Sequence, residues 1–290
     1  MQGTICRHFS APRTIVVVLI AFSVALLCLP PGASADNEWP SKVTASYKIS
    51  FNGFDIGNFQ FESHVNSRSY DLSSQAELSV LFGAYTWKGA IKSSGTIVGE
   101  GPKPGAYSYQ YKANSKTGSV DMTFSDGRVA NTTLVPPSHP SKNSVPLQEQ
   151  HLRNVFDPMS AVMALTRGRT TDPCGQKIAI FDGKQRFDLA LSFRRQVRVS
   201  ESVPSGQPDI GYVCRVQYIP IAGHKKEEKS QLVAGDSGIE VTFRPIPSAN
   251  VLIPYQITIP TILGSAVITA QRTEITIPGA KQIALVHQTP

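Results

Sequence analysis

The stretch "SYKISFNGFDIGNFQFESHV", residues 46–65, decides the fold. Tyr47, Ile49 and Phe51 alternate with polar residues in its first half, and Phe59, Phe61 and Val65 do so in its second. Successive side chains of a strand point to opposite faces, so each half reads as a strand with one buried face. Between them "NGFDIG" (52–57) has a glycine toward each end and reads as the hairpin connection.

The same alternation runs outward along the chain. "SYDLSSQAELSVL" places Tyr70, Leu72, Ala76, Leu78 and Val80 on one face, a length that invites a bend or bulge. "AYSYQYK" aligns Tyr107, Tyr109 and Tyr111, and "SVDMTFSDGRV" aligns Val120, Met122 and Phe124 before a turn at Asp126-Gly127. A second Asp-Gly turn, Asp182-Gly183, precedes Phe187, Leu189, Leu191 and Phe193. "IGYVCRVQY" puts Cys214 on the apolar face with Ile210, Tyr212, Val216 and Tyr218, and "GIEVTFRPIP" and residues 251–277 supply three or four further strands. One-sided alternation over so many segments predicts an antiparallel sheet with one wet face.

One segment breaks the pattern. In "RNVFDPMSAVMALTRG" (153–168), Asp157 is the predicted N-cap, Pro158 the first helical residue and Gly168 the stop. Met159, Ala161, Val162, Met163, Ala164 and Leu165 leave almost no polar face, so this helix is predicted to be buried. "PLQEQHLRN" before it reads as a shorter, more exposed helix, and the prolines at 136–146 as a loop between two strand sets.

The N-terminus is read separately. Arg7 and Arg13 precede an apolar run from Ile15 to Leu29, and Ala33-Ser34-Ala35 forms a small-residue cleavage site before Asp36. The run is shorter than the ~20 residues that span a bilayer, so a cleaved export signal over residues 1–35 is expected, with no lasting membrane anchor. Leu27 before Cys28 does not fit a lipidation site, and no Arg-Arg pair precedes the run. Residues 36–290 are then read as a single β-rich domain.

Without Arg7 and Arg13, the 28 basic residues fall to 26 against 21 acidic ones, a net charge of +5. The excess is scattered, and "HKKEEK" (224–229) mixes both signs, so the basic stripe with aromatics that nucleic-acid binding asks for is missing. Cys174 and Cys214 remain after the signal is removed, and an exported chain with two cysteines suggests one disulfide. Free thiols and a metal pair are the alternatives; a metal would want further ligands at short spacing, and neither Cys-x-x-Cys nor a paired histidine stands nearby. No metal or other cofactor is expected.

Catalytic motifs reduce to structure. "GDSG" (235–238) resembles the nucleophile segment of chymotrypsin-like proteases, with Ser237 as nucleophile and His64 and Asp71 in the right chain order. His64 lacks the family's surrounding motif, and between two strands Gly-Asp-Ser-Gly is what a turn looks like. His151 and His224 stand alone, Asp157 is explained by capping, and Asp182, Lys184 and Arg186 by a hairpin tip.

"ASYKISFNGFDIGNFQF", "LFGAYTWKGAIKSSGTI", "VFDPMSAVMAL", "FDGKQRFDL" and "YIPIAGH" together resemble the bacterial exported family catalogued as domain of unknown function 3108, over roughly residues 43–275. That resemblance implies a periplasmic location, since such members are exported envelope proteins of Gram-negative bacteria. It implies no activity, substrate or catalytic residue.

The expected architecture is a strongly curved antiparallel sheet, an open barrel or half-barrel, with the helix in its concavity. The leading functional expectation is a non-enzymatic envelope protein that binds a lipid or other apolar ligand there. Met159, Val162 and Met163 from the helix, with Tyr107 and Tyr109 from the sheet, are the candidate lining. A structural or assembly factor with an envelope protein partner is the alternative, and a hydrolase ranks behind both.

Overall fold

The computed structural model of the chain describes residues 39–99, 101–138, 141–167, 172–226 and 238–288. The expected signal segment with its Ala35/Asp36 cleavage point, the helix stop Gly168 and Ser237 lie outside the described residues.

Seven strands come first: β1 (Lys42–Phe51), β2 (Phe54–Val65), β3 (Ser69–Val80), β4 (Tyr85–Val98), β5 (Gly101–Ala113), β6 (Lys116–Ser125) and β7 (Arg128–Val135). Each pairs antiparallel with the next, so this half is a meander. The turns are where turn chemistry places them. Asn52-Gly53 and Asp126-Gly127 each supply two successive residues with positive φ. A tight hairpin whose twist matches that of its strands requires that pair of values. Strand β3 does not carry the bulge its length suggested; its register with both neighbours runs without a shift. The shifts fall instead in β1, between Ser46 and Tyr47 against one neighbour and between Ile49 and Ser50 against the other.

The one α-helix among the described residues, α1 (Pro158–Thr166), follows the proline-rich connection, and the weak helix before it is one 3-10 turn over Glu149–Leu152. Then come β8 (Lys177–Phe181), β9 (Arg186–Arg198), β10 (Glu201–Val203), β11 (Ile210–Ala222), β12 (Ile239–Ile246), β13 (Val251–Thr261), β14 (Gly264–Thr276) and β15 (Ile283–His287). The halves join where β14 pairs with β1, giving the order β7-β6-β5-β4-β3-β2-β1-β14-β13-β12-β11-β9-β8.

The sheet curls until its two edges, β7 and β8, face each other, but they do not pair strand to strand. Residues 153–156 lie between them. The Asn154 N–H donates to the Gly127 carbonyl (2.7 Å), the Phe156 N–H to the Ala179 carbonyl (2.9 Å), and the Phe181 N–H to the Phe156 carbonyl (2.9 Å). The result is an open barrel whose seam is laced by the chain just before α1.

Helix α1 packs inside the curve against β4, β5, β8 and β13. Asp157 caps it, accepting the N–H groups of Met159 and Ser160 at 3.0 Å each, with Pro158 at the first helical position. Buried Met159 and Met163 join Tyr70, Leu72, Tyr107, Val120 and Met122 in one apolar cluster; Ala161 and Leu165 join Cys214, Val241, Phe243 and Leu252 in another. Outside the curve, β15 pairs with the second half of β14, and β10 with β15. Ile246, Val251, Ile253, Ile275 and Leu285 form a further cluster there, so β12 is buried on both faces.

Cys174 and Cys214 are disulfide-bonded, with Cα atoms 5.4 Å apart and both side chains buried. The bond fastens the chain after α1 to the middle of β11, and so fixes the helix against the C-terminal strands.

Candidate binding cavity

Between one flank of α1 and strands β1, β2, β13 and β14 the concavity is not filled. Cross-strand register explains which side chains meet there. Tyr47 stands opposite Phe59, Ala45 opposite Phe61, and Ile257 opposite Ile268, and directly paired residues share a face. These project toward the helix, which answers with Met159, Val162, Met163 and Thr166. Trp39, Pro40, Val251 and Leu252 close the end nearest the start of β1.

The hollow measures about 240 Å³. That lies between the roughly 150 Å³ apolar cavity known to take up benzene and the ~300 Å³ at which drug-sized ligand sites begin. None of its lining residues is charged. Ser63 and Thr166 contribute hydroxyls, and that of Thr166 is spent on the Met163 carbonyl (3.0 Å). Burial pushes the Tyr47 hydroxyl well above the usual phenol range, so it stays protonated. The buried Trp39 indole N–H finds no acceptor among the described residues. Its ring is held by the Arg167 guanidinium, 4.7 Å from the centroid.

Val162 is 41% exposed although it sits on a helix built almost wholly of apolar residues. It faces the hollow, so the hollow is open to solvent rather than sealed. A closed void of this size would cost about 6 kcal/mol at ~24 cal/mol per Å³, as much as the whole stability of many domains. Opening it to water lowers that figure, but an unpacked apolar wall still costs hydrophobic burial that a filled core would gain.

Of the candidate lining residues, Met159, Val162 and Met163 stand on the hollow. Tyr107 and Tyr109 do not. They lie on β5, across the curve from β1 and β13, where Tyr107 is buried in the first apolar cluster and Tyr109 stacks on Tyr111 at 5.6 Å. The alignment of three tyrosines showed a common face but not which part of the curve it would line.

A polar cluster on the other flank of α1 had no signal in the sequence. Ser160 donates its hydroxyl hydrogen to Asp157 Oδ2 (2.5 Å) and lies 2.6 Å from the Tyr70 hydroxyl and 3.0 Å from Ser93 Oγ. With Tyr70 and Ser93 as donors, its one hydrogen and two lone pairs are all used. Burial pushes the Asp157 carboxyl up, against the lowering effect of the Ser160 hydroxyl and N–H. Asp157, Ser160, Tyr70 and Ser93 are all buried, so this serine, tyrosine and aspartate pin the helix and do not meet a substrate.

The remaining candidates are dispersed. His64 is exposed on the outer face, its Nε2 2.8 Å from Glu62, with Asp71 opposite it in register. His151 Nδ1 accepts the Gln148 N–H in the 3-10 turn. His224 is buried, with neither ring nitrogen bonded among the described residues. Asp182 accepts the N–H groups of Lys184 and Gln185 and so makes its own turn, while Arg186 pairs with Asp188 (2.6 Å). Among the described residues no group of three or more His, Cys, Asp or Glu could hold a metal, and no helix is long and apolar enough to cross a membrane.

Residues 46–271 match the family described as protein of unknown function (DUF3108), and the chain belongs to that family. No curated protein matches it. Among solved structures it is similar to the crystal structure of a beta-barrel-like protein of domain of unknown function DUF1849 from Brucella abortus, with a TM-score of 0.54 and 11% identity over 82% of this chain and 98% of that one. At that identity the likeness is one of fold.

Proposed function

We propose that this protein is a non-enzymatic periplasmic protein, a single β-rich domain over residues 36–290 after a cleaved signal, that holds a lipid-like apolar ligand against α1. The observation that carries the reading is the uncharged hollow of about 240 Å³ between α1 and strands β1, β2, β13 and β14. Its size suits one acyl segment or a small ring system. The disulfide supports an oxidising compartment.

The test is direct. Protein from the periplasmic fraction, extracted and delipidated, is titrated with a dansylated undecanoic acid. Saturable binding is expected, and Val162→Trp, which fills the hollow from the helix side, is expected to weaken it at least tenfold. Failure of the delipidated protein to bind, or equal binding by Val162→Trp, overturns the reading. A second reading, an assembly factor with an envelope protein partner, draws on β7, whose residues beyond Arg128 pair only with β6 among the described residues.

A further inference from the structure

The hairpin connections β1–β2, β3–β4, β5–β6 and β13–β14 all fall at one end of the sheet, because their strands alternate in direction along the contiguous order β6-β5-β4-β3-β2-β1-β14-β13. Helix α1 lies at the other end. Its partners Tyr70 and Leu252 are the second residues of β3 and β13, strands whose last residues lead into these tips.

Three of the four tips carry large apolar side chains in the open. Phe54 is 76% exposed, Leu81 76% and Leu263 76%, and Phe82 and Ile262 are fully exposed. Neighbouring strands lie about 4.8 Å apart, so adjacent hairpin tips stand roughly 10 Å apart and the five side chains form one stripe along the rim.

Their backbone makes the exposure harder to dismiss. Leu81 and Phe82 have φ of 52° and 55°. Side chains with a Cβ are strained there, and a turn of this kind favours asparagine and glycine, which this chain uses at Asn52-Gly53. Leucine and phenylalanine at these positions lose on strain and on exposure, and Phe82 is fully exposed.

The tips are also held as a platform. Asn52 donates through Nδ2 to the Leu263 carbonyl (3.1 Å) and accepts the Ser265 N–H on Oδ1 (3.0 Å), which ties β1–β2 to β13–β14. Asn114 accepts the Thr86 N–H on Oδ1 (2.9 Å) and donates its own N–H to the Thr86 carbonyl (2.9 Å), which ties β5–β6 to β3–β4. Charge on the rim leans positive. Asp55 is paired with Lys48 (2.9 Å), while Lys112 and Lys116 are exposed and make no ion pair among the described residues.

We infer that this rim docks on an anionic lipid bilayer, with Phe54, Leu81, Phe82, Ile262 and Leu263 entering the headgroup–acyl boundary and Lys112 and Lys116 facing lipid phosphates. The concavity then meets the membrane at the end that α1 does not fill. The inference stands whatever occupies the hollow.

The test uses vesicles of phosphatidylcholine and phosphatidylglycerol (3:1) with the protein purified from the periplasmic fraction, its intact mass checked for loss of residues 1–35. Wild type is expected to co-float with the vesicles. Leu81→Asn with Phe82→Gly, which installs the turn the backbone prefers, is expected to fold at least as well and to partition at least tenfold less. The chain's two tryptophans lie at opposite ends, Trp87 near the tips and Trp39 beside the hollow. Acyl-brominated lipid is therefore expected to quench Trp87 in a Trp39→Phe protein. Quenching of Trp39 in a Trp87→Phe protein reports lipid in the hollow, which tests the ligand reading separately. Absence of flotation at millimolar lipid, unchanged flotation of the tip variant, or self-association through the tips without flotation overturns the inference.

Discussion

Replacing Ser160 by alanine should destabilise this protein far more than the loss of one oxygen suggests. The Ser160 side chain is completely buried and its hydroxyl serves three groups: Asp157 Oδ2, the Tyr70 hydroxyl at 2.6 Å and Ser93 Oγ at 3.0 Å. Each buried polar group left without a partner costs roughly 1–3 kcal/mol. Ser93 already approaches the Asp157 carboxyl and can swing to it, which satisfies both, so the Tyr70 hydroxyl is the one group orphaned. The expected loss is about 1–3 kcal/mol, measured as a fall in the urea midpoint at unchanged slope.

Two further readouts separate this account from a general packing defect. Tyr70→Phe removes the most exacting partner, so Ser160→Ala in that background should cost about 1 kcal/mol less than in wild type. The Asp157 carboxyl is held above its ordinary range by burial, and losing the Ser160 donor raises it further. A carboxyl raised in the folded state binds more protons there than in the unfolded chain, so stability falls as pH rises through that interval. The Ser160→Ala penalty should therefore be larger at pH 7 than at pH 4. A loss below about 1 kcal/mol, strict additivity with Tyr70→Phe, or a penalty independent of pH would refute the reasoning.

Three other outcomes follow from the structure. Reducing Cys174–Cys214, or replacing both by serine, frees a loop of sequence separation 40 and should cost about 4 kcal/mol in the chain-entropy account, read as a lower urea midpoint in dithiothreitol. The His287 imidazole is pushed down to about 4 by burial, with Arg244 adding to the effect, whereas in the unfolded chain it titrates near its ordinary value of ~6.5. The unfolded state therefore gains the proton first as pH falls from about 6.5 to 4, and up to about 3 kcal/mol of stability should be lost across that window. His287→Phe, which keeps a ring against Tyr255, should flatten that part of the stability profile. Gly95→Ala would drive a Cβ into the Lys103 carbonyl and to 2.6 Å from the Tyr70 hydroxyl, and should cost about 1–3 kcal/mol in the same assay.

What the sequence made legible was what neighbouring residues decide. Alternation from Tyr47 to Val65 is a local pattern, and so is Asp157-Pro158 opening an apolar run; both elements are present, but the connection read over residues 52–57 narrows to Asn52-Gly53, with β2 already running from Phe54. The disulfide followed from there being two cysteines beyond the expected export signal. The illegible parts depend on pairs far apart in the chain. Nothing in Lys42–Phe51 announces β14 as its second partner, 217 residues away at the Ser50–Val267 contact. Ser160 in "MSAV" looks like the weak spot of an apolar helix until Tyr70 and Ser93 are placed against it from 90 and 67 residues away. The exposed tips illustrate a different limit. Leu81-Phe82 reads as the continuation of an apolar strand, and only the backbone shows it turning into solvent.

The position of α1 ties these parts into one constraint on how the hollow can be filled. The residues immediately before the helix lace β7 to β8, Asp157 and Ser160 pin its first turn to β3 and β4, and Cys174 fastens the chain beyond it to β11. Withdrawing the helix would therefore open the seam, orphan a buried carboxylate and pull against a covalent bond at once. A plug secured at three points is a poor gate. Any occupant of the hollow beside Val162 would instead arrive from the opposite end, past Ile257 and Ile268 and under the rim that carries Phe54, Phe82 and Leu263. Three of the rim side chains, Phe54, Ile262 and Leu263, stand on the β1–β2 and β13–β14 hairpins, whose strands also form the apolar wall. A bilayer docked on that rim would place its acyl region directly over the path to the hollow.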